Sequence, residues 1–124
     1  MAKEKVVPCL IHIPCTLPDG TDVDPALMNS FFEMLDRQFG GSTPLGVVSG
    51  RWVGPDDKTV QEQMQRVEVS VKKSQIPNFE KVAKLIGKAT KQKVMYVVIN
   101  YQANTKFLFP EDDDDEGEGQ VFVG

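Results

Sequence analysis

Residues 40–54 read Gly-Gly-Ser-Thr-Pro-Leu-Gly-Val-Val-Ser-Gly-Arg-Trp-Val-Gly, with five glycines and the only tryptophan of the chain. Such a stretch is either a loop that cradles a ligand or the bend between a helix and a strand. Phosphate loops run from a strand into a helix and end in Gly-Lys-Ser/Thr; dinucleotide loops carry G-x-G-x-x-G. Neither pattern is present. Upstream, Asp24-Pro25 opens a helix: the aspartate caps free N–H groups, and proline suits the first helical position. Met28, Phe31, Phe32, Leu35 and Phe39 follow at helical spacing. Gly40-Gly41 then stops the helix, because glycine adopts the left-handed cap without a Cβ clash. A strand from about Leu45 to Val53 follows, and Gly46 and Gly50 within it mark a bulge or a close backbone approach.

The flanking segments extend this pattern. Val6–Ile13 is β-branched and apolar and reads as a strand, with Val7, Cys9, Ile11 and Ile13 on one face. Pro18-Asp19-Gly20 is a turn signal. Pro55-Asp56-Asp57-Lys58 turns the chain into a return strand, Gln63–Lys72. There Val67, Val69 and Val71 alternate with Arg66, Glu68, Ser70 and Lys72. Ser74 or Asn78 caps a second helix with an apolar stripe of Phe79, Val82, Leu85, Ile86 and Ala89. Lys93–Tyr101 is apolar on both faces and reads as a central or well covered strand. The order β-α-β-β-α-β predicts an α+β, ferredoxin-like fold: an antiparallel sheet with two helices on one face. One domain is expected over residues 1–110, with an acidic flexible tail over 111–124.

The chain has 124 residues, 40% of them hydrophobic, enough for one domain with a real core. The net charge of −4 is uneven: residues 111–118 hold seven of the eighteen acids. Between Lys72 and Lys93, seven lysines stand against one acid, Glu80. No apolar run reaches the roughly 18 residues of a membrane helix, and the charged start does not read as a signal peptide. A cytoplasmic protein without membrane association is expected. Cys9 and Cys15 lie about 20 Å apart if the strand between them is extended, too far for a disulfide. One histidine and two separated thiols give no zinc pattern. Asp112-x-Asp114-x-Glu116-Gly117 only echoes a calcium loop, with Val123 where a bidentate glutamate belongs. No metal or cofactor is expected.

Candidate chemistry is sparse, and no catalytic set is legible. His12 is the only histidine, so it is the one side chain whose ordinary pKa lies near neutrality. Its ordinary role is that of a hydrogen-bonded strand residue. In a ligand site it would act with Arg66, Glu68 and Tyr96 on the face away from the helices. Trp52 is a further candidate, serving as an anchor for core, interface or ligand. Lys81, Lys84, Lys88 and Lys91 form a helical stripe, either a solvated face or a contact for a polyanion. Stacking aromatics are absent from the third strand, which weighs against RNA.

The spacing Gly40-Gly41-x-Thr43, then Gly50-x-Trp52, then Glu68 in a following strand resembles small bacterial and phage ferredoxin-like proteins of uncharacterised function. The resemblance covers about residues 6–101; it implies the fold and no activity. The leading functional expectation is a small non-catalytic interaction module that self-associates as a dimer, with a protein partner and without nucleic acid. The alternative is a small enzyme or small-molecule-binding protein with a polar site on the open sheet face. A nucleic-acid-associated protein using the lysine stripe is the weaker alternative.

Overall fold

In a computed structural model, residues 5–99, 105–107 and 121–123 are described. Strand β1 (Val6–Pro14) leads into helix α1 (Pro25–Phe39). The hairpin β2 (Thr43–Val53) and β3 (Thr59–Lys72) follows. A 3-10 turn (Lys73–Gln75) then introduces helix α2 (Ile76–Ala89), and β4 (Val97–Ile99) closes the first sheet. That sheet has four strands in the order β2-β3-β1-β4, with every pairing antiparallel. The architecture is therefore α+β, a four-stranded antiparallel sheet with two helices. Two further strands, β5 (Thr105–Phe107) and β6 (Val121–Val123), pair with each other in a second sheet. The expected six-element order did not contain them. The acidic run 111–118 lies outside the described residues.

Alternation decides what is buried. Val7, Cys9, Ile11 and Ile13 of β1 join Val67, Val69 and Val71 of β3 in one core. Phe31 and Leu35 of α1 and Phe79, Val82 and Ile86 of α2 close it from above. Both helices thus cover one face of the sheet. Asp24 accepts from Ala26 N at 2.8 Å as the N-cap of α1. Gly40 ends that helix at φ 90°, ψ 0°, and its N–H donates to the Asp36 carbonyl at 2.8 Å. Only glycine takes that conformation without cost.

Four expectations need correction. First, β4 is an edge strand and not central: its paired part is three residues long, and β1 covers only one of its sides. An apolar run on both faces fits a central or a well covered strand alike; here Val97–Ile99 is partly buried at the edge. Second, neither Ser74 nor Asn78 caps α2; its N-cap is Gln75, without a side-chain bond. Asn78 is already inside the helix and donates to Gln38 Oε1 of α1 at 2.9 Å. Third, Leu85 is 49% exposed, and Ala83 and Gly87 take places in the buried stripe. Fourth, β3 begins at Thr59, so the β2–β3 hairpin is longer than expected and projects past the end of β1.

Candidate functional site

The second face of the sheet carries Leu10 and His12 of β1, flanked by Arg66, Glu68 and Ser70 of β3. Directly opposed residues of an antiparallel pair share a face. Register therefore places Thr43 beside Glu68, Gly46 beside Arg66, and Trp52 beside Val60 on this same side. A bulge between Pro44 and Gly46 makes that register possible; without it the alternation of β2 would invert. All five candidate ligand residues, His12, Trp52, Arg66, Glu68 and Tyr96, thus lie on the face turned away from the helices.

They do not form one cluster. Trp52 sits on the projecting hairpin, 48% exposed, and its Nε1–H donates to Glu62 Oε2 at 3.2 Å. Glu62 and Glu68 are six residues apart on β3, about 20 Å along an extended strand. Trp52 is therefore remote from the other four, and its neighbour is a carboxylate that sequence reasoning did not single out.

His12, Arg66 and Tyr96 do meet. His12 is 2% exposed, in register with Arg66. Its Nδ1 lies 3.3 Å from the Tyr96 carbonyl, and Arg66 Nε donates to its Nε2 at 3.1 Å. A carbonyl can only accept and a guanidinium can only donate. The proton therefore sits on Nδ1, and the Nε2 lone pair is occupied. The Tyr96 ring lies over the imidazole with centroids 4.6 Å apart. Burial, above all, holds the His12 pKa below its ordinary 6.5; the Arg66 charge adds to this, and the Tyr96 carbonyl opposes it. His12 is a neutral acceptor already in use.

A pKa lowered by folding means that the unfolded chain binds the proton more readily, so stability rises with pH across that interval. The His12 contribution is complete above about pH 6.5 and is lost as the pH falls below it. Urea midpoints measured from about pH 7.5 down to about pH 5 should fall in the wild type. His12→Asn should flatten that slope, since no second histidine titrates in the window. An unchanged slope would mean that carboxylates, not His12, set it.

A concavity lies at the other end of this face. Phe39, the Gly40–Thr43 turn, Glu68 and Ser70 enclose an open cavity of about 380 Å³, within the size range of small-molecule sites. Ser42 Oγ donates to Asp36 Oδ1 at 2.6 Å, which ties the turn to the end of α1. A Cβ built at Gly40 or Gly41 meets nothing within 4 Å. Their positive φ values of 90° and 156°, and not crowding, call for glycine there. Glu68 is half-buried on the cavity floor and carries no side-chain hydrogen bond or ion pair among the described residues. The quoted glycine stretch is thus both a helix stop and a cavity wall. Sequence reasoning takes the stretch as structural and misses Phe39, Ser42 and Thr43 as site residues, whereas Ser70 shares the open face with Arg66 and Glu68 as expected. The available signal was the spacing that joined Gly40-Gly41-x-Thr43 to Glu68.

The remaining candidates are dispersed. Lys81, Lys84 and Lys88 are exposed along α2, but that helix ends at Ala89. Lys91 lies past its end at φ 59°, so the expected stripe loses its fourth member. Cys9 and Cys15 are not joined in a disulfide, and burial pushes the Cys15 thiol above its usual range. Among the described residues no three His, Cys, Asp or Glu side chains converge as a metal site, and no helix is long and apolar enough to cross a membrane.

No family model matches the chain, and no curated protein matches it. Among solved structures, it is similar to a phage SAM lyase in complex with S-methyl-5'-thioadenosine. The TM-score is 0.61 at 10% identity, over 80% of this chain and 88% of that one. At that identity the likeness shows the fold. It also corrects the leading functional expectation. The frame is shared with a protein named as an enzyme and solved with a small molecule, so the non-catalytic self-associating module gives way to its alternative.

Proposed function

We propose that this chain is a small-molecule-binding protein, and by extension a small enzyme, with its polar site on the sheet face opposite the helices. The observation that carries this is the cavity where the Gly40–Thr43 turn meets Glu68 and Ser70. Its lining combines Phe39, three hydroxyl residues of which Ser42 is bonded to Asp36, turn backbone and a carboxylate without a partner among the described residues, a mixture suited to a polar ligand with one apolar part. The frame is taken as ferredoxin-like. Support comes from the chain order β-α-β-β-α-β through Ile99 and from the strand order β2-β3-β1-β4.

The ligand class we favour is a nucleoside thioether or sulfonium, since the similar phage protein was solved with S-methyl-5'-thioadenosine. The Thr43 and Ser70 hydroxyls suit ribose hydroxyls, and the Phe39 ring suits a base. Glu68 suits a cationic centre: a carboxylate is an acceptor only and favours positive charge nearby. In a sulfonium that keeps its amino acid, sulfur takes the C–S electron pair and leaves as a neutral thioether, while the carbon it leaves forms its new bond to an oxygen of the ligand's own carboxylate. Cleavage then asks no acid of the protein, in keeping with a site whose imidazole is already engaged.

Calorimetric titration of the full chain with S-methyl-5'-thioadenosine tests the binding. Incubation with S-adenosylmethionine, followed by chromatography for released thioether, tests the enzyme. Saturable binding at one site is the expected result, with thioether release faster than in buffer. Absence of binding to both compounds would remove the reading. Binding without release would leave a ligand-binding protein and no lyase.

A further inference from the structure

We propose that Arg66, oriented by His12, and Glu68 together form a zwitterion-binding pair for the α-amino acid end of a nucleoside-linked ligand. The guanidinium takes the carboxylate and Glu68 takes the ammonium. This rests on the ligand-binding reading of the same face and extends it to a substrate class: nucleoside thioethers or sulfoniums that keep a free amino acid.

His12 is a buried polar side chain, yet its acceptor nitrogen serves an exposed arginine. Solvated arginines need no such partner. The bond uses Nε, which leaves the two terminal nitrogens without a hydrogen bond or ion pair among the described residues. Those nitrogens form an edge of the fork that grips carboxylates in a bidentate manner. His12 cannot turn away, because its other nitrogen is held by the Tyr96 carbonyl and its ring by Tyr96. The guanidinium is thus fixed at one side and open at the other.

The surroundings leave room for a ligand. The residue in register with Arg66 on β2 is Gly46, which follows the bulge at φ 106°. A Cβ there would meet nothing within 4 Å. No side chain of β2 therefore stands beside Arg66 at that position. Two residues along, Glu68 faces the cavity on the same side of β3. Their Cα atoms are about 7 Å apart on an extended strand. An α-amino acid bridging their charged ends needs those ends about 8 Å apart, from two hydrogen bonds of roughly 2.8 Å and the short span between its carboxylate and ammonium, which long side chains rising from neighbouring same-face positions can reach. The opposite charges do not pair with each other among the described residues, so both are available to a bridging group.

The test compares S-adenosylhomocysteine, a neutral thioether with an amino acid, against S-methyl-5'-thioadenosine, which has none. Titrations use the full chain. The wild type should bind the first at least about tenfold more tightly, a difference of about 1.4 kcal/mol. Arg66→Gln should erase that preference, with the loss falling on S-adenosylhomocysteine. His12→Leu should erase part of it, and His12→Gln, which restores an acceptor, should recover some. Equal wild-type affinities would overturn the pair while leaving the ligand-binding reading intact, as would equal losses for both compounds in Arg66→Gln. Failure of both compounds to bind would remove the reading and the pair with it. Arg66 is exposed, so its variant keeps the test decisive even if the His12 variants fold poorly.

Discussion

Glu68→Gln should weaken binding of S-adenosylmethionine by about 10- to 100-fold and leave S-methyl-5'-thioadenosine within about threefold, because a hydrogen bond to a charged group contributes about 1.5–3 kcal/mol and a neutral one about half as much. Glutamine keeps the shape of the side chain and removes only its charge. S-adenosylmethionine carries a sulfonium and an ammonium that S-methyl-5'-thioadenosine lacks, whereas the nucleoside is common to both. Folding should be little affected: the carboxylate is half-buried and holds no partner among the described residues, so no native bond is lost. Its strand neighbours, Val67 and Val69, carry the core on the other face. Thermal unfolding of the variant close to that of the wild type, together with a loss confined to the cationic compound, would establish Glu68 as a charge partner. Unchanged affinity for S-adenosylmethionine would place the cation elsewhere and end the role argued for this carboxylate.

The sheet face that carries Glu68 was legible in the sequence, and the cavity was not. Alternation in Arg66-Val-Glu-Val-Ser-Val fixes which side chains of β3 point together, because the period of a strand is two. The helix stop at Gly40 was equally legible, since two glycines after an apolar helical stripe leave little choice. That the same turn would wall a cavity depends on where β2 meets β3. The bulge between Pro44 and Gly46 sets that register, and one inserted residue moves every later side chain to the other face. Trp52 shows the same limit. Its side of the sheet follows from the bulge, and its distance from Glu68 follows from a hairpin longer than the alternating run alone suggested. The His12–Arg66 bond was within reach, because the first and third strands are neighbours in the expected fold. What could not be read was that the imidazole would be buried and its lone pair already taken.

Phe79→Ala should destabilise the chain by about 3–5 kcal/mol, the usual range for removing a buried aromatic ring. The ring is fully buried in α2 and meets Phe39 at the end of α1 edge-on, with centroids 5.7 Å apart and planes at 69°. Its removal deletes that contact and opens a void among side chains that cannot all relax into it. A small domain holds only about 5–15 kcal/mol in total, so this one substitution takes a large share. Leu85→Ala is the matched control. Leu85 belongs to the apolar stripe read from the sequence, but it stands half in water, and its truncation should cost well under half as much. The consequence also reaches the cavity. Phe39 lines the cavity and its ring packs on Phe79, so loss of the support should loosen the wall formed by the Gly40–Thr43 turn. Urea unfolding measures the first effect. Titration with S-methyl-5'-thioadenosine, at a temperature where the variant is fully folded, measures the second. A stability loss with full affinity would show that the turn is held by the Gly40 cap and the Ser42–Asp36 bond alone. A loss in both would tie the helix-side core to the ligand side through one aromatic pair.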